Sequence, residues 1–268
     1  MEWLHVFALA IIQGLTEFLP VSSSAHLILP SLLLEWPDQG LAFDVAVHVG
    51  TLIAVVYYFR KDVFTMLNAF FASLTGKHTV DSKIAWFILL ATLPCLLFGF
   101  LLHGFIDNYG RSLLVIAATT LIFGALLWFA DTRKGTKKAL DTITLKDCLI
   151  IGVFQAMALI PGTSRSGSTM SAALLLGFSR EAAAKFSFFM SIPVIVAAGS
   201  YKGLELATSD IVINWSMVLT GVALSALVAI TCIHFFLILL EKLGMLPFVI
   251  YRLVLGVFLL FLYFNTGA

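Results

Sequence analysis

Six stretches of this sequence, about 41–59, 84–102, 112–130, 186–204, 215–240 and 247–264, are each apolar and long enough to cross a bilayer. A helical span needs about 20 predominantly apolar residues. Composition agrees: 60% of the residues are hydrophobic and 12% charged, against roughly 45–50% and about 25% in soluble domains. The expectation is an all-α polytopic membrane protein, with residues 1–268 forming one membrane domain and no room for a sizeable soluble one. A net charge of +1 argues for no particular partner, and no nucleic acid is expected. Cys95, Cys148 and Cys232 are scattered in or beside apolar runs and read as small buried residues rather than a disulfide or metal site. Met1-Glu2-Trp3 lacks the basic opening of a signal peptide.

Basic residues set the expected orientation. Arg60, Lys61, Lys77 and Lys83 fall in 60–83, and Arg133, Lys134, Lys137, Lys138 and Lys146 fall in 131–147. Arg180, Lys185 and Lys242 mark further loops on that side, whereas the opposite loops hold Arg111 and Lys202. The first group reads as cytoplasmic, with 131–147 as a cytoplasmic linker and both termini outside.

Two more apolar segments, about 3–34 and 148–178, are interrupted by polar residues and prolines. Each reads as a short helix, a break and a second short helix. Irregular backbone at membrane depth is tolerated only where protein or a water-filled cavity covers it, so both are expected to be re-entrant hairpins. The charge rule makes the first enter from outside and the second from inside. The segments also resemble each other. Gln13 to Ser23 lies over Gln155 to Ser164 if one residue is deleted, which brings Pro20 onto Pro161. Six spans and two hairpins then form an inverted 3+3 repeat, about 1–130 and 148–264, as in transporters whose sites lie where broken helices meet.

The second break, Pro161-Gly162-Thr163-Ser164-Arg165-Ser166-Gly167-Ser168-Thr169, combines one fixed cation with hydroxyls and glycines before an apolar helix. Helix N-termini favour anions, and an arginine fork adds charge-assisted bonds to phosphate. A snorkelling Arg165 in a polar turn is the bland alternative. Arginine at membrane depth costs at least ~2.5–3.5 kcal/mol, which favours a phosphate cradle of Gly162, Ser164, Arg165, Ser166 and Thr169.

In the first break, Gln13 and Glu17 are four apart and share a helix face. Glu17 needs a partner in an apolar segment, whether an arginine, a metal ion or a proton, and Arg165 is the obvious one. Ser23 and His26 are three apart, which permits a nucleophile–base contact. Equally, Ser22, Ser23 and Ser24 suit helix capping and His26 suits a structural hydrogen bond. Asp44 and His48 either face the same cavity or satisfy a neighbouring helix.

The run from Gln13 to His26, the run from Pro161 to Thr169 and the ending Leu246-Pro247-Phe248-Val249-Ile250-Tyr251-Arg252 resemble the undecaprenyl-diphosphate phosphatase, or bacitracin-resistance protein, family. The likeness runs through essentially the whole chain. It implies hydrolysis of a polyprenyl diphosphate to the monophosphate, recycling the lipid carrier of cell-wall synthesis. It also implies a bacterial inner-membrane enzyme with an outward-facing site, helped by a divalent cation, Mg or Ca. Glu17, Ser23, His26, Ser164, Arg165 and Thr169 match their family positions. Gln13 stands where many members have glutamate, and Ser24-Ala25 replaces the common Thr-Gly.

The expected catalytic residues are thus Glu17, Ser23, His26 and Arg165, with Gln13, Ser22, Gly162, Ser164, Ser166 and Thr169 on the substrate. Glu17 either binds the cation or acts as base, and Ser23 either attacks or orients a water. Membrane lipids surround the chain, and a homodimer stays open. The competing reading is a polyprenyl-phosphate transporter or flippase using the same opposed hairpins.

Overall fold

The computed structural model describes residues 2–34, 36, 40–109, 112–133, 137–209 and 213–266. Arg111 and Lys134, used above in the charge argument, lie outside them. Among the described residues the chain is all helical, with no strand. The helices are α1 (Trp3–Thr16), α2 (Ser23–Leu34), α3 (Leu41–Tyr58), α4 (Arg60–Ser73), α5 (Val80–Tyr109), α6 (Leu113–Thr132), α7 (Leu145–Met157), α8 (Arg165–Leu175), α9 (Arg180–Ala207), α10 (Trp215–Leu243) and α11 (Leu246–Thr266).

The helices α3, α5, α6, α9, α10 and α11 each contain a stretch long and apolar enough to span a membrane. They coincide with the six expected stretches. α9 starts before the expected 186, because its basic first turns are paired rather than left against lipid: Arg180 with Asp131 at 2.6 Å and Lys185 with Asp62 at 2.8 Å. α4 departs from the expectation of a loop at 60–83. Its charged start, Arg60-Lys61-Asp62, hides a helical run whose Phe64, Leu67 and Phe71 remain exposed.

Both interrupted segments fold as a short helix, a break and a second short helix. α1 packs on α2, and α7 packs on α8. None of these four helices exceeds 14 residues, too short to cross a hydrocarbon core of about 30 Å at 1.5 Å per residue. α1 lies against α10, α7 against α5, and α6 against α11, while α3 and α9 meet centrally. Small residues permit the close approaches, as expected between membrane helices. A Cβ on Gly14 would stand 2.8 Å from the Ser225 carbonyl, and one on Gly152 would stand 2.7 Å from that of Ala91.

Edge-to-face rings knit the core: Phe18 on Phe188, Phe188 on Phe236 and Phe236 on Phe248, at centroid distances of 5.4, 5.7 and 5.2 Å. They tie the first break to α9, α10 and α11. All three cysteines are buried and free, as expected.

Candidate functional site

Each break ends on a serine in the left-handed region, Ser22 at φ 75° and Ser164 at φ 69°. These are the only non-glycine residues with positive φ among those described. That conformation costs roughly 1–2 kcal/mol for a residue with a Cβ, and such strain gathers at functional sites. The two serines stand equally far from Gln13 and Gln155 in sequence, so no deletion is needed to match the segments. Pro20 falls opposite Gly162, not Pro161. Identical local bonds follow: Ser22 Oγ lies 3.1 Å from Ser24 Oγ, and Ser164 Oγ lies 3.2 Å from Ser166 Oγ. Ser164 also caps α8 by accepting from the Gly167 N–H at 3.1 Å.

The breaks meet. Ser166 Oγ donates to the Leu19 carbonyl at 2.8 Å, and the Gly162 N–H donates to Ser24 Oγ at 3.4 Å. Gly162 has φ 88°, and a Cβ there would run into Thr119 Oγ1 and the Ile116 carbonyl on α6. Only glycine satisfies both the backbone and that approach.

At this crossing Glu17 is the hub. Its Oε1 accepts from Arg165 Nη2 at 3.1 Å. Its Oε2 accepts from Gln13 Nε2 at 3.0 Å and from Ser23 Oγ at 3.1 Å. Arg165 is held on its far side by Nη1 donating to the Ser187 carbonyl at 2.9 Å. The glutamate and arginine side chains are 8% and 13% exposed, so this is a nearly dry pair that nonetheless reaches the surface. A serine hydroxyl aimed at a carboxylate, with a guanidinium alongside, is an arrangement able to supply a nucleophile, a base and an anion clamp.

Other expected residues sit differently. His26 does not face Ser23. Its Nδ1 donates to the Ser22 carbonyl at 2.7 Å, and its Nε2 accepts from the Tyr251 hydroxyl at 2.6 Å. Both ring nitrogens are engaged, so the Ser23–His26 contact is absent, and Ser23 turns to Glu17 instead. Ser166 and Thr169 are 1% exposed. Thr169 Oγ1 donates to the Arg165 carbonyl and lies against Ser187 Oγ, both at 2.8 Å, so its hydroxyl supports the backbone that carries Arg165, while that of Ser166 is taken by the Leu19 carbonyl. The histidine that does approach the cluster is His48 on α3. Its Nδ1 donates to the Asp44 carbonyl at 2.7 Å, leaving Nε2 4.0 Å from Glu17 Oε2.

Arg252 on α11 closes the Leu246–Arg252 run and had no role assigned from sequence, although it is a lone charge inside an apolar run. It is fully buried. Its Nε donates to the Thr120 carbonyl at 3.2 Å and its Nη1 to that of Pro20 at 3.2 Å. Its Nη2 donates to Gly162 and Thr163 at 3.0 Å each. One guanidinium thereby ties both breaks to α6.

Among the described residues no three His, Cys, Asp or Glu side chains cluster for a metal. Among the described residues Glu17 is the one carboxylate at the crossing, and Gln13 Oε1 is buried there without a partner. Magnesium is characteristically held by one or two carboxylates plus substrate phosphates. The residues therefore fit a cation completed by phosphate oxygens, not one caged by protein.

Comparison with known proteins bears on this arrangement. The chain is 58% identical over 261 residues to the undecaprenyl-diphosphatase of Chromohalobacter salexigens, covering 97% of this chain and 98% of that protein. It is 57% identical over 256 residues to the undecaprenyl-diphosphatase of Saccharophagus degradans, covering 96% of each. To that of Aliivibrio salmonicida it is 57% identical over 261 residues, covering 97% and 98%. Residues 6–258 match the bacitracin resistance protein BacA family, to which the chain belongs.

Proposed function

We propose that this chain is an undecaprenyl-diphosphatase, hydrolysing undecaprenyl diphosphate to the monophosphate and inorganic phosphate. The observation that carries the proposal is the shared Glu17 carboxylate, with Ser23 on one oxygen and Arg165 on the other. The terminal phosphate docks against Arg165, which offsets its charge; phosphoryl transfer depends chiefly on positioning and electrostatics. Ser23 Oγ attacks phosphorus, and Glu17 takes its proton and passes it to the lipid monophosphate, which leaves with the bridging oxygen and restores the Glu17 carboxylate. Water then attacks the phosphoserine. One of its protons returns to Ser23, and phosphate departs. A divalent cation held by Glu17 and Gln13 Oε1 supplies further neutralisation of phosphate charge when bound.

The same reading includes the architecture. Residues 1–268 form one membrane domain. α1–α2 and α7–α8 are re-entrant hairpins in an inverted repeat. Its support is the exchange of packing partners, α1 with α10 and α7 with α5, and the matched serines. The family likeness supports a site opening to the outer side of the bacterial inner membrane, and the charge rule agrees in so far as it puts both termini and the entry of α1–α2 outside.

The deciding experiment incubates purified protein in detergent with undecaprenyl diphosphate. A phosphatase releases one inorganic phosphate per lipid consumed. A transporter using the same hairpins releases none, and that result overturns the reading.

A further inference from the structure

Two guanidinium groups serve the crossing of the breaks, and they differ in charge balance. Arg165 is neutralised by Glu17 at 3.1 Å. Arg252 bonds four carbonyls, on Thr120, Pro20, Gly162 and Thr163, and none of its partners among the described residues is an anion. An arginine stays protonated in proteins. A buried charge without a counter-ion is expensive, and carbonyl dipoles compensate it only in part.

The position of that charge is specific. Pro20 and Gly162 occupy matching places in the two breaks, and Arg252 holds a carbonyl of each. A Cβ on Gly167 would stand 2.8 Å from Nη1, so the first turn of α8 rests directly on the guanidinium. The N-terminal turn of α8, an end that favours anions, therefore lies over an unneutralised cation, and the Pro20 carbonyl ties the chain before α2 to the same group. On α2, Ser24 is exposed and Ser23 and His26 are half-buried, so this region reaches the protein surface.

We propose that Arg252 is a specificity-determining residue: it supplies the counter-charge for the second phosphate of a diphosphate. This deepens the phosphatase reading and rests on it. Arg165 and Ser23 handle the terminal phosphate. Arg252, which does not touch substrate, acts through its field and by holding both tips in register. A ligand with a single phosphate forfeits the contribution of Arg252.

The test compares inhibition of undecaprenyl diphosphate turnover by inorganic pyrophosphate and by inorganic phosphate. It uses wild type, Arg252→Gln and Arg252→Lys. Glutamine keeps amide donors for the carbonyls but removes the charge; lysine keeps the charge with fewer donors. For Arg252→Gln the expected result is at least ~10-fold weaker pyrophosphate inhibition, equivalent to about 1.4 kcal/mol, with phosphate inhibition changed less than ~3-fold. Arg252→Lys is expected to recover most of that difference. A purely structural Arg252 weakens both inhibitors by the same factor, or leaves lysine no better than glutamine, and either result overturns the proposal. Wild type that releases no phosphate overturns the underlying reading instead.

Discussion

Arg165 Nη2 stands 3.1 Å from Glu17 Oε1, a bond between residues 148 positions apart that joins the two broken segments at their tips. Neither residue is stable at membrane depth alone. Together they cancel in charge, and the second glutamate oxygen remains to receive Gln13 and Ser23. The pair therefore builds the fold and prepares the chemistry at once.

Ser23 donates to Glu17, whereas His26 is committed to Ser22 and Tyr251. Substrate labelled in its terminal phosphate is therefore expected to leave a phosphoenzyme on Ser23, trapped by rapid acid quench. Ser23→Ala is expected to abolish that label, while His26→Ala retains it. Label retained in Ser23→Ala contradicts attack by this hydroxyl.

Gly162 cannot accept a side chain. Gly162→Ala meets α6 and is strained at φ 88°. It is expected to lower thermal stability in detergent by at least ~1–3 kcal/mol, as overpacking does, and to reduce activity with it. Ser22→Gly relieves a positive φ and is expected to leave the thermal midpoint unchanged or raised, by up to ~1–2 kcal/mol. A lower midpoint for Ser22→Gly contradicts strain at that residue.

Gln13→Glu replaces a donated bond with a second carboxylate beside Glu17. Like charges at hydrogen-bond range repel unless a cation or proton intervenes. The variant is expected to melt lower than wild type in chelator and to gain more thermal stability on adding magnesium, by ligand linkage. Equal magnesium-dependent gains in the two proteins contradict a cation position between Gln13 and Glu17.

The apolar runs made the spans legible because hydropathy depends on composition over about 20 residues, not on partners. The pairing of Glu17 with Arg165 was legible for a related reason: two isolated opposite charges in lipid must find each other. The partners of His26 were not. Three-residue spacing puts Ser23 and His26 on one helix face, but Tyr251, from the far end of the chain, captures the ring. The proline match misaligned the breaks, since the backbone turn is made at Ser22 and Ser164 rather than at the prolines. His48 was legible only as one of two alternatives, and its approach to Glu17 decides for the cavity; Arg252 stood in a recognisable run, but its partners are distant in sequence and no local pattern announced its role. α4 was hidden because charges at its start end the apolar run of α3.

The central claim is that both broken segments contribute to one phosphate-cleaving site. Its most direct measurement is the initial rate of phosphate release from undecaprenyl diphosphate by wild type, Glu17→Ala and Arg165→Ala, each purified as a folded, monodisperse species in detergent. Both variants are expected to fall by at least ~10²–10³, the typical loss for one preorganised charge-stabilising group. Near-normal turnover by either one contradicts the account.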